Sequence, residues 1–274
     1  MILINGQYEA QISVHDRALQ YGDGLFETFA VKDGKPLAWE EHIQRLEKGC
    51  KQLYITCPEI SLLHTECLQL CTSVELGVLK LILSRGSGGR GYTPPGISAT
   101  TRIISLHEWP DHPSSYHQNG IGISICETRL GHSPALSGIK HLNRLEQVLL
   151  GRELSLKQSP EGIALDIDDN VIEACKSNVF LVKNDVLITP MLDRAGVEGV
   201  IRNRIIEIAE CANSQVQIRH VRVEELLGAD EVFLSNSIIG IWPVNRINSV
   251  SYEPGKYTRN LQQQLVNEQI VVLP

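Results

Sequence analysis

The chain has 274 residues, 42% of them hydrophobic, which is enough to bury one large core or two of ordinary size. We expect two domains. Its formal net charge of −7 at pH 7 argues against a general nucleic-acid binder, because a phosphate backbone selects for clustered positive charge. A small anionic ligand needs only a local basic pocket and stays compatible with this charge.

The seven cysteines include no Cys-x-x-Cys pair, and the nearby histidines do not complete a zinc-type spacing. An odd number without a disulfide framework is typical of reduced, intracellular cysteines. The amino terminus lacks a basic region followed by a long apolar run, and no stretch approaches the length of a membrane span. We therefore expect a soluble cytoplasmic protein with no membrane partner and no metal site.

In the first part of the chain, Asn5 and Gly6 predict a tight hairpin after an opening strand, since this dipeptide readily takes positive φ angles. The patterns predict strands at 2–4, 25–31, 36–39, 79–83 and 102–106, and helices at 40–53 and across most of 59–76. Between 110 and 118 the chain is rich in Pro, Ser, His and Asp, a linker composition. The predicted domains are 1–110 and 120–274, joined by a linker at 111–119.

In the second part, Lys140 follows a glycine-containing loop and precedes an apolar helical run. The apolar spacing predicts that one face of this helix docks on a core, which would hold the lysine stem near buried surface and lower its pKa. Such a lysine is a candidate for Schiff-base formation, and a solvated loop lysine is the alternative. The helical run is Leu142, Leu145, Val148 and Leu149; strands are predicted at 120–126, 171–174, 178–182, 186–189 and 232–234, and a helix at 198–212.

The glycine-rich stretch 86–91 fits the G-x-G-x-x-G pattern of dinucleotide-binding enzymes. Two prolines follow within 92–96, so no helix can open there to hold a pyrophosphate. We favour a mobile loop that presents Arg90 and Tyr92 to a ligand. The acidic stretch 166–170 has calcium-loop spacing but lacks the required turn glycine, and it predicts a solvated acidic turn.

Further motifs follow one another along the chain. His42 and Arg45 are three apart on one helical face, 21–28 carries two glycines, Glu173 opens the stretch 173–180, and glycines stand at the start of a helix in 196–202. In this order, with the Lys140 loop, they resemble the pyridoxal-phosphate enzymes of fold type IV. That family includes branched-chain aminotransferases, D-amino acid aminotransferases and aminodeoxychorismate lyases. The resemblance runs from about residue 5 to residue 243 and implies a mixed α+β and α/β fold of two domains.

The resemblance implies that Lys140 carries pyridoxal 5'-phosphate as a Schiff base and later moves protons at the reacting carbon. Glu173 matches the carboxylate that faces the pyridine nitrogen and keeps it protonated. For either residue taken alone, an ordinary loop lysine or a solvent-facing strand carboxylate is the alternative. Their occurrence in one ordered set favours the cofactor roles.

The remaining cofactor contacts implied by the resemblance concern the phosphate. Arg45 matches the family's phosphate-binding arginine. Val200 and Ile201 would offer backbone N–H groups at a helix N-terminus, which favours an anion. Either Asn236 or Ser237 would complete the phosphate site, and the sequence does not choose between them. For His42, a structural role at the helix cap or core edge is at least as well supported as a direct functional role.

Within the family, two features favour a lyase. The stretch 85–92 resembles the glycine-rich substrate loop of aminodeoxychorismate lyases, with Arg90 and Tyr92 as substrate-binding residues. Thr28 stands where these lyases commonly have threonine, and its hydroxyl can guide a proton; an ordinary strand threonine is the alternative. The expected activity is elimination of pyruvate from 4-amino-4-deoxychorismate, giving 4-aminobenzoate for folate synthesis. A branched-chain or D-amino acid aminotransferase and a non-catalytic cofactor-binding protein are the alternatives, and the resemblance implies a homodimer.

Overall fold

The computed structural model of the protein describes residues 1–96 and 99–272. The chain divides into two compact units: Met1–Pro110 with Ile139–Asn143, and Asp111–Gly138 with Arg144–Pro274. The predicted linker 111–119 belongs to the second unit and contains a short helix, and the segment that carries Lys140 belongs to the first unit. Residues 273 and 274, the end of the predicted C-terminal domain, lie outside the described residues.

The first unit is an antiparallel sheet with helices on one face. Alternate residues of its second strand, such as Leu25, Phe29 and Val31, are buried because they face these helices. The intervening Phe26 and Thr28 are half-buried on the opposite face. The strands are β1 (Ile2–Ile4), β2 (Gly24–Lys32), β3 (Lys35–Pro36), β4 (Leu76–Ser84) and β5 (Thr101–His107), in the order β1-β5-β4-β2-β3; the helices are α1 (Arg17–Tyr21), α2 (Trp39–Leu53) and α3 (Ile60–Cys71).

Most elements predicted for this unit are present. The strand predicted at 36–39 is shorter, since β3 ends at Pro36 and Trp39 already begins α2. Three further differences follow. The turn at Asn5 and Gly6 forms with φ angles of 50° and 81°, but β1 pairs with β5 and not with a strand directly after the turn. Helix α3 ends at Cys71, because Leu76 already begins a central strand. Helix α1 was not predicted; its signals are the Asp16 side chain, which caps its start, and a left-handed glycine at its end.

The second unit is built on a mixed ten-stranded sheet, in which the pairs β10–β11, β6–β14 and β6–β7 are parallel. Its order is β11-β10-β9-β13-β14-β6-β7-β8-β12, with β15 paired to β14. The strands are β6 (Ile121–Leu130), β7 (Gly162–Asp166), β8 (Asn170–Ala174), β9 (Asn178–Lys183), β10 (Val186–Pro190), β11 (Val216–Arg219), β12 (Val221–Arg222), β13 (Glu231–Asn236), β14 (Gly240–Ile247) and β15 (Val250–Ser251). The helices are α4 (Ser115–Asn119), α5 (Leu145–Lys157), α6 (Val200–Cys211), α7 (Val223–Leu227) and α8 (Lys256–Asn267).

The prediction that the helix after Lys140 packs on the core through the face of Leu145, Val148 and Leu149 is wrong. Leu145, Val148 and Leu149 are 78%, 62% and 53% exposed, whereas Leu150 and Leu154 face the core of the second unit. Helical spacing identifies apolar faces, but α5 has two of them and buries the other one. Among residues 1–96 and 99–272, no helix is long and apolar enough to cross a membrane.

Candidate functional site

Lys140 lies beside strand β2 in the first unit. Its carbonyl oxygen accepts a hydrogen bond from the N–H of Phe26 at 2.9 Å, and the Leu142 N–H donates to the Gly24 carbonyl at 3.0 Å. The approach of this segment to β2 depends on glycine at position 24, because a Cβ there would lie 2.8 Å from Leu142 Cδ1 and 2.4 Å from the Leu83 carbonyl oxygen of β4. The Lys140 ammonium nitrogen lies 4.4 Å from the centre of the Phe26 ring. The backbone from Lys140 to Leu142 is therefore held against β2.

Thr28 lies two residues beyond Phe26 on the same face of β2. Its Cα partner on the neighbouring strand is Lys80, whose ammonium nitrogen lies 5.3 Å from the centre of the same Phe26 ring. Lys80 is a functional candidate that the sequence analysis missed. The sequence did contain a signal, since Lys80 is the one charged residue in the otherwise largely apolar strand 76–84. This sheet face thus carries a hydroxyl and two ammonium groups near one aromatic ring.

Arg45 reaches from α2 to Glu27 on β2, where both side chains are largely shielded from solvent. The Arg45 Nε donates to Glu27 Oε1 at 2.9 Å and Nη2 donates to Oε2 at 2.5 Å. Burial by itself would raise the pKa of Glu27, but the charge and hydrogen bonds of Arg45 and His42 lower it to about 2. The predicted phosphate ligand is therefore oriented by a buried carboxylate that remains ionised.

His42 is the third member of this cluster. Its Nδ1 lies 2.6 Å from Glu27 Oε2, and its Nε2 is buried without a hydrogen-bond partner among the described residues. Burial lowers the pKa of His42; Glu27 acts in the opposite direction, and the charges of Arg45 and Lys140 lower it further. A neutral imidazole that donates from Nδ1 to the carboxylate fits this environment. The geometry gives His42 a part in orienting Glu27.

The glycine-rich loop 86–92 opens no helix, and through Gly96 the chain continues in turns. Residue Arg90 is exposed, and Tyr92 is 88% exposed. The glycines at 86, 88, 89 and 91 all have positive φ angles, which side-chain-bearing residues rarely adopt. A helix-opening nucleotide turn is therefore absent at this position, in agreement with the sequence analysis.

Glu173 lies on β8 in the second unit and is 6% exposed. Its Oε2 accepts a hydrogen bond from the Val197 N–H at 2.9 Å, and the Gln147 amide nitrogen lies 3.5 Å from Oε1. A neighbouring cation comes from Arg144: burial lowers the pKa of this guanidinium, and the negative charge of Glu173 opposes that shift. The carboxylate is therefore fixed in place by groups that favour its ionised form.

Helix α6 begins at Val200 with Gly199 as its N-cap, and no side chain caps it. A Cβ at position 199 would lie 2.0 Å from Asn178 Oδ1, so the close approach of this turn requires glycine. The side chains of Val200 and Ile201 are buried in the second unit, at 4% and 1% exposure. Their backbone N–H groups belong to the first helical turn, where an anion is favoured.

Asn236 is the last residue of strand β13 and Ser237 follows it, and their surroundings differ. The Asn236 amide donates to the Lys176 carbonyl at 3.2 Å and to Ser177 Oγ at 3.0 Å, while its Oδ1 accepts from the N–H groups of Ile238 and Ile239. All polar atoms of the Asn236 side chain therefore hold the turn. Ser237 is half-buried beside it.

The stretch 166–170 is a turn organised around Asp166, which is fully buried; the prediction of a solvated turn is therefore wrong for this residue. Its carboxylate accepts hydrogen bonds from the backbone of Asp168 and from both the backbone and side chain of Asn170. The ring Nε2 of His132 lies 3.0 Å from Asp166 Oδ2. Together with Asp168, these two residues could offer three ligand atoms to a metal ion. Arg194 pairs with the second carboxylate of this group, that of Asp168, at 3.1 Å. These hydrogen bonds and this ion pair account for the acidic residues without a metal ion.

The chain was compared with known proteins. The family model for amino-transferase class IV matches residues 24–247. An aminodeoxychorismate lyase from Vibrio harveyi is 35% identical, with 97% of this chain and 99% of the relative covered. Among solved structures, 4-amino-4-deoxychorismate lyase from Pseudomonas aeruginosa is 44% identical, with a TM-score of 0.94 over 98% of this chain and 99% of that chain.

A branched-chain amino acid aminotransferase from Escherichia coli is more distant. It is 26% identical, with a TM-score of 0.84 over 98% of this chain and 94% of that chain. These matches confirm the mixed α+β and α/β fold, of fold type IV, predicted from the ordered motifs. They cover nearly the whole chain and both of its compact units. The chain therefore belongs to the amino-transferase class IV family.

Proposed function

We propose that this protein is a 4-amino-4-deoxychorismate lyase, which converts its substrate to 4-aminobenzoate and pyruvate with pyridoxal 5'-phosphate as cofactor. The observation that carries the proposal is the open face of β2 and β4, where Thr28 and Lys80 lie next to the Phe26 ring that Lys140 also contacts. This face offers a proton-carrying hydroxyl and a cation beside the lysine. The full-length similarity to two lyases supports the same activity.

The chemistry of the available donors fits the cofactor. Lys140 supplies the amine for its aldehyde, and the buried carboxylate of Glu173 suits a protonated pyridine nitrogen. Arg45 and the uncapped start of α6, at Val200 and Ile201, suit its phosphate. Because Asn236 is engaged in its turn, we assign the further phosphate contact to Ser237.

When bound, the cofactor takes up the electron pair that is left when a proton leaves the substrate carbon bearing the amine. The substrate amine would first take the place of Lys140 on the cofactor, and Lys140 would take the place of the product amine at the end, which releases 4-aminobenzoate. In between, the free amine of Lys140 would remove that proton from C4 of the substrate ring. The bond between C3 and the enolpyruvyl oxygen then breaks, and the ring becomes aromatic. The Thr28 hydroxyl guides a proton to the methylene carbon of the leaving group, which departs as pyruvate.

The substrate carries two carboxylates and needs matching cations. Arg90 on the exposed loop and Lys80 on the sheet are the two we assign to them, with Tyr92 beside Arg90. Lys80 is half-buried, so its ion pair with a carboxylate would be less screened than one on the open surface. This gives the site a reason to prefer a dicarboxylate.

An aminotransferase is the second candidate, because the Escherichia coli branched-chain enzyme shares the fold over 98% of this chain. The two reactions diverge after Lys140 has removed the proton. A lyase expels the enolpyruvyl group, whereas an aminotransferase returns the proton to the cofactor and needs a keto acid to complete the cycle. The requirement for a keto acid therefore separates them.

The test is an assay of the purified, cofactor-loaded protein with aminodeoxychorismate, and in parallel with D-alanine or L-leucine plus 2-oxoglutarate. We expect 4-aminobenzoate and pyruvate in equal amounts without any keto acid. Lys80→Met should raise KM about tenfold or more because it removes a carboxylate partner. Lys32→Met, at the exposed end of β2, is the matched control and should leave KM unchanged. Amino-group exchange without any 4-aminobenzoate would contradict the lyase assignment.

We further propose that the protein is a cytoplasmic homodimer. The exposed apolar face of α5, formed by Leu145, Val148, Leu149 and Leu156, supports the dimer, since exposed apolar surface of this kind commonly marks an interface. Two copies of this chain would bury the same face against each other in a twofold contact. All seven cysteines are free in the described part of the chain, which suits a reducing compartment.

A further inference from the structure

The glycine-rich loop is fastened to a single buried arginine. Arg17, 3% exposed at the start of α1, donates through Nη1 to the carbonyls of Gly88 at 3.4 Å and Gly91 at 3.1 Å. Its Nη2 donates to the carbonyl of Tyr92 at 3.2 Å. One guanidinium therefore holds three carbonyl oxygens of the loop, on both sides of Arg90.

Arg17 is itself held in place by its neighbours. Its Nε donates to Asp23 Oδ2 at 2.8 Å, and its guanidinium carbon lies 4.7 Å from the centre of the Tyr21 ring. The Tyr21 ring in turn lies 5.6 Å from that of Tyr92. Arg85 shares the Asp23 carboxylate, with contacts of 2.7 and 3.0 Å. The planar guanidinium of Arg17 is therefore held in place by contacts other than those with the loop carbonyls.

The same two arginines connect the loop to the rest of the first unit. Arg85 donates to the carbonyls of Leu53 and Tyr54 at the end of α2, both at 2.7 Å. Although burial opposes it, hydrogen bonds from Arg85 and Arg17 lower the pKa of Asp23, so the carboxylate stays charged near neutral pH. The base of the loop is thus fixed, while Arg90 projects into solvent.

We propose that Arg17 is a positioning residue that holds the loop 86–92 in the one conformation that presents Arg90 to the substrate. It touches neither substrate nor cofactor and acts through the loop backbone. This proposal rests on the substrate role that we propose for Arg90. A glycine-rich chain has many alternative conformations, so the anchor lowers the entropy lost when substrate binds.

The first test uses Arg17→Gln and Arg17→Lys in the cofactor-loaded enzyme. Gln cannot reach three carbonyls or pair with Asp23 as an ion, so we expect KM for aminodeoxychorismate to rise at least tenfold while kcat changes less than threefold. Lysine restores the charge but not the fork, and an intermediate KM is expected. The control is Arg102→Gln, which removes a bidentate ion pair of the first unit whose partner is Glu66 and not a carbonyl of the loop. An equal rise in KM for the control would overturn the positioning role.

The second test does not depend on turnover. Trypsin cleaves after Arg90, and the rate of cleavage at the bond between residues 90 and 91 is followed by mass spectrometry. Release of the anchor in Arg17→Gln should speed this cleavage at least fivefold, whereas Arg102→Gln should leave it at the wild-type rate. Unchanged cleavage in Arg17→Gln would refute the anchor. Faster cleavage in a protein that does not convert aminodeoxychorismate would support the anchor and count against the proposed function.

Discussion

Glu173 is a buried carboxylate of the second unit whose surroundings suit the binding of a positively charged group. Its carboxylate is buried, receives the Val197 N–H at 2.9 Å, and lies in the field of Arg144. Fixed hydrogen-bond donors and a neighbouring cation favour the ionised form of a buried carboxylate and hold it in place. This is what a protonated ring nitrogen of the cofactor requires.

Replacement of Glu173 by Gln should therefore separate cofactor binding from turnover. The amide keeps the shape of the side chain but not the charge, so the cofactor should be retained while kcat falls at least a hundredfold. Equilibrium binding of the cofactor and steady-state kinetics measure the two effects. Glu127→Gln, which changes an exposed carboxylate of the same unit, is the control and should leave both unchanged. Loss of folded protein in the Glu173 variant, seen by circular dichroism, would instead show a structural role.

At the residue scale, the sequence identified candidates by their order along the chain but not their partners. Arg45 was chosen without its link to Glu27, because a partner 18 positions away on another element leaves no local pattern. The same limit concealed the role of Arg17, whose three acceptors lie more than 70 positions away. Lys80 could have been found from strand alternation, since it interrupts an apolar run.

At the scale of elements, α5 is the informative error. The spacing of Leu145, Val148 and Leu149 is helical, and a helix is present, yet these three side chains face outward. Periodicity reports which residues share a face and not what covers it. An exposed apolar helix face is costly in water, and a second copy of the chain would remove that cost.

The proposed interface predicts that Leu149→Glu weakens the dimer. In a twofold contact, the new carboxylates of the two copies would lie close together in an apolar surface that excludes water. The dissociation constant of the dimer should therefore rise at least a hundredfold. Sedimentation velocity over a range of concentrations measures it. The control is Ile167→Glu, at an exposed apolar residue of the same unit outside α5. Identical sedimentation of wild type and the Leu149 variant would exclude this face from the interface.

At the scale of the whole molecule, sequence patterns predicted the long strands of the first unit, several strands of the second, and helices α2 and α6. They missed β7 and β14, which lie inside the second sheet, and the twelve-residue helix α8. Short peripheral elements such as α1, β12 and β15 were missed, because two to five residues carry too little periodicity. The predicted division of the chain into two domains also did not include a return of the chain to the first unit. Residues 139–143 return to the first unit, through hydrogen bonds to β2 that depend on a tertiary contact and not on local composition.

Acid stability of the cofactor-free chain provides the last prediction, because the first unit contains a buried, charged cluster. The pKa of Glu27 is lowered from its ordinary value of 4.5 to about 2 in the folded protein. A lowered pKa means that the ionised carboxylate stabilises the fold fully above about pH 4.5, and that this contribution is lost as the pH falls toward 2. Glu27→Gln removes the partner of a buried arginine and should cost about 3 kcal/mol of unfolding free energy at pH 7.

The difference in unfolding free energy between wild type and Glu27→Gln should therefore shrink steadily between pH 4.5 and 2. Urea denaturation at several pH values, followed by circular dichroism, measures it. Glu47→Gln, on the exposed side of the same helix α2, should differ little from wild type throughout. A wild-type advantage over Glu27→Gln that persists undiminished at pH 2 would mean that the carboxylate acts through its shape, and that its charge does not hold Arg45 in place.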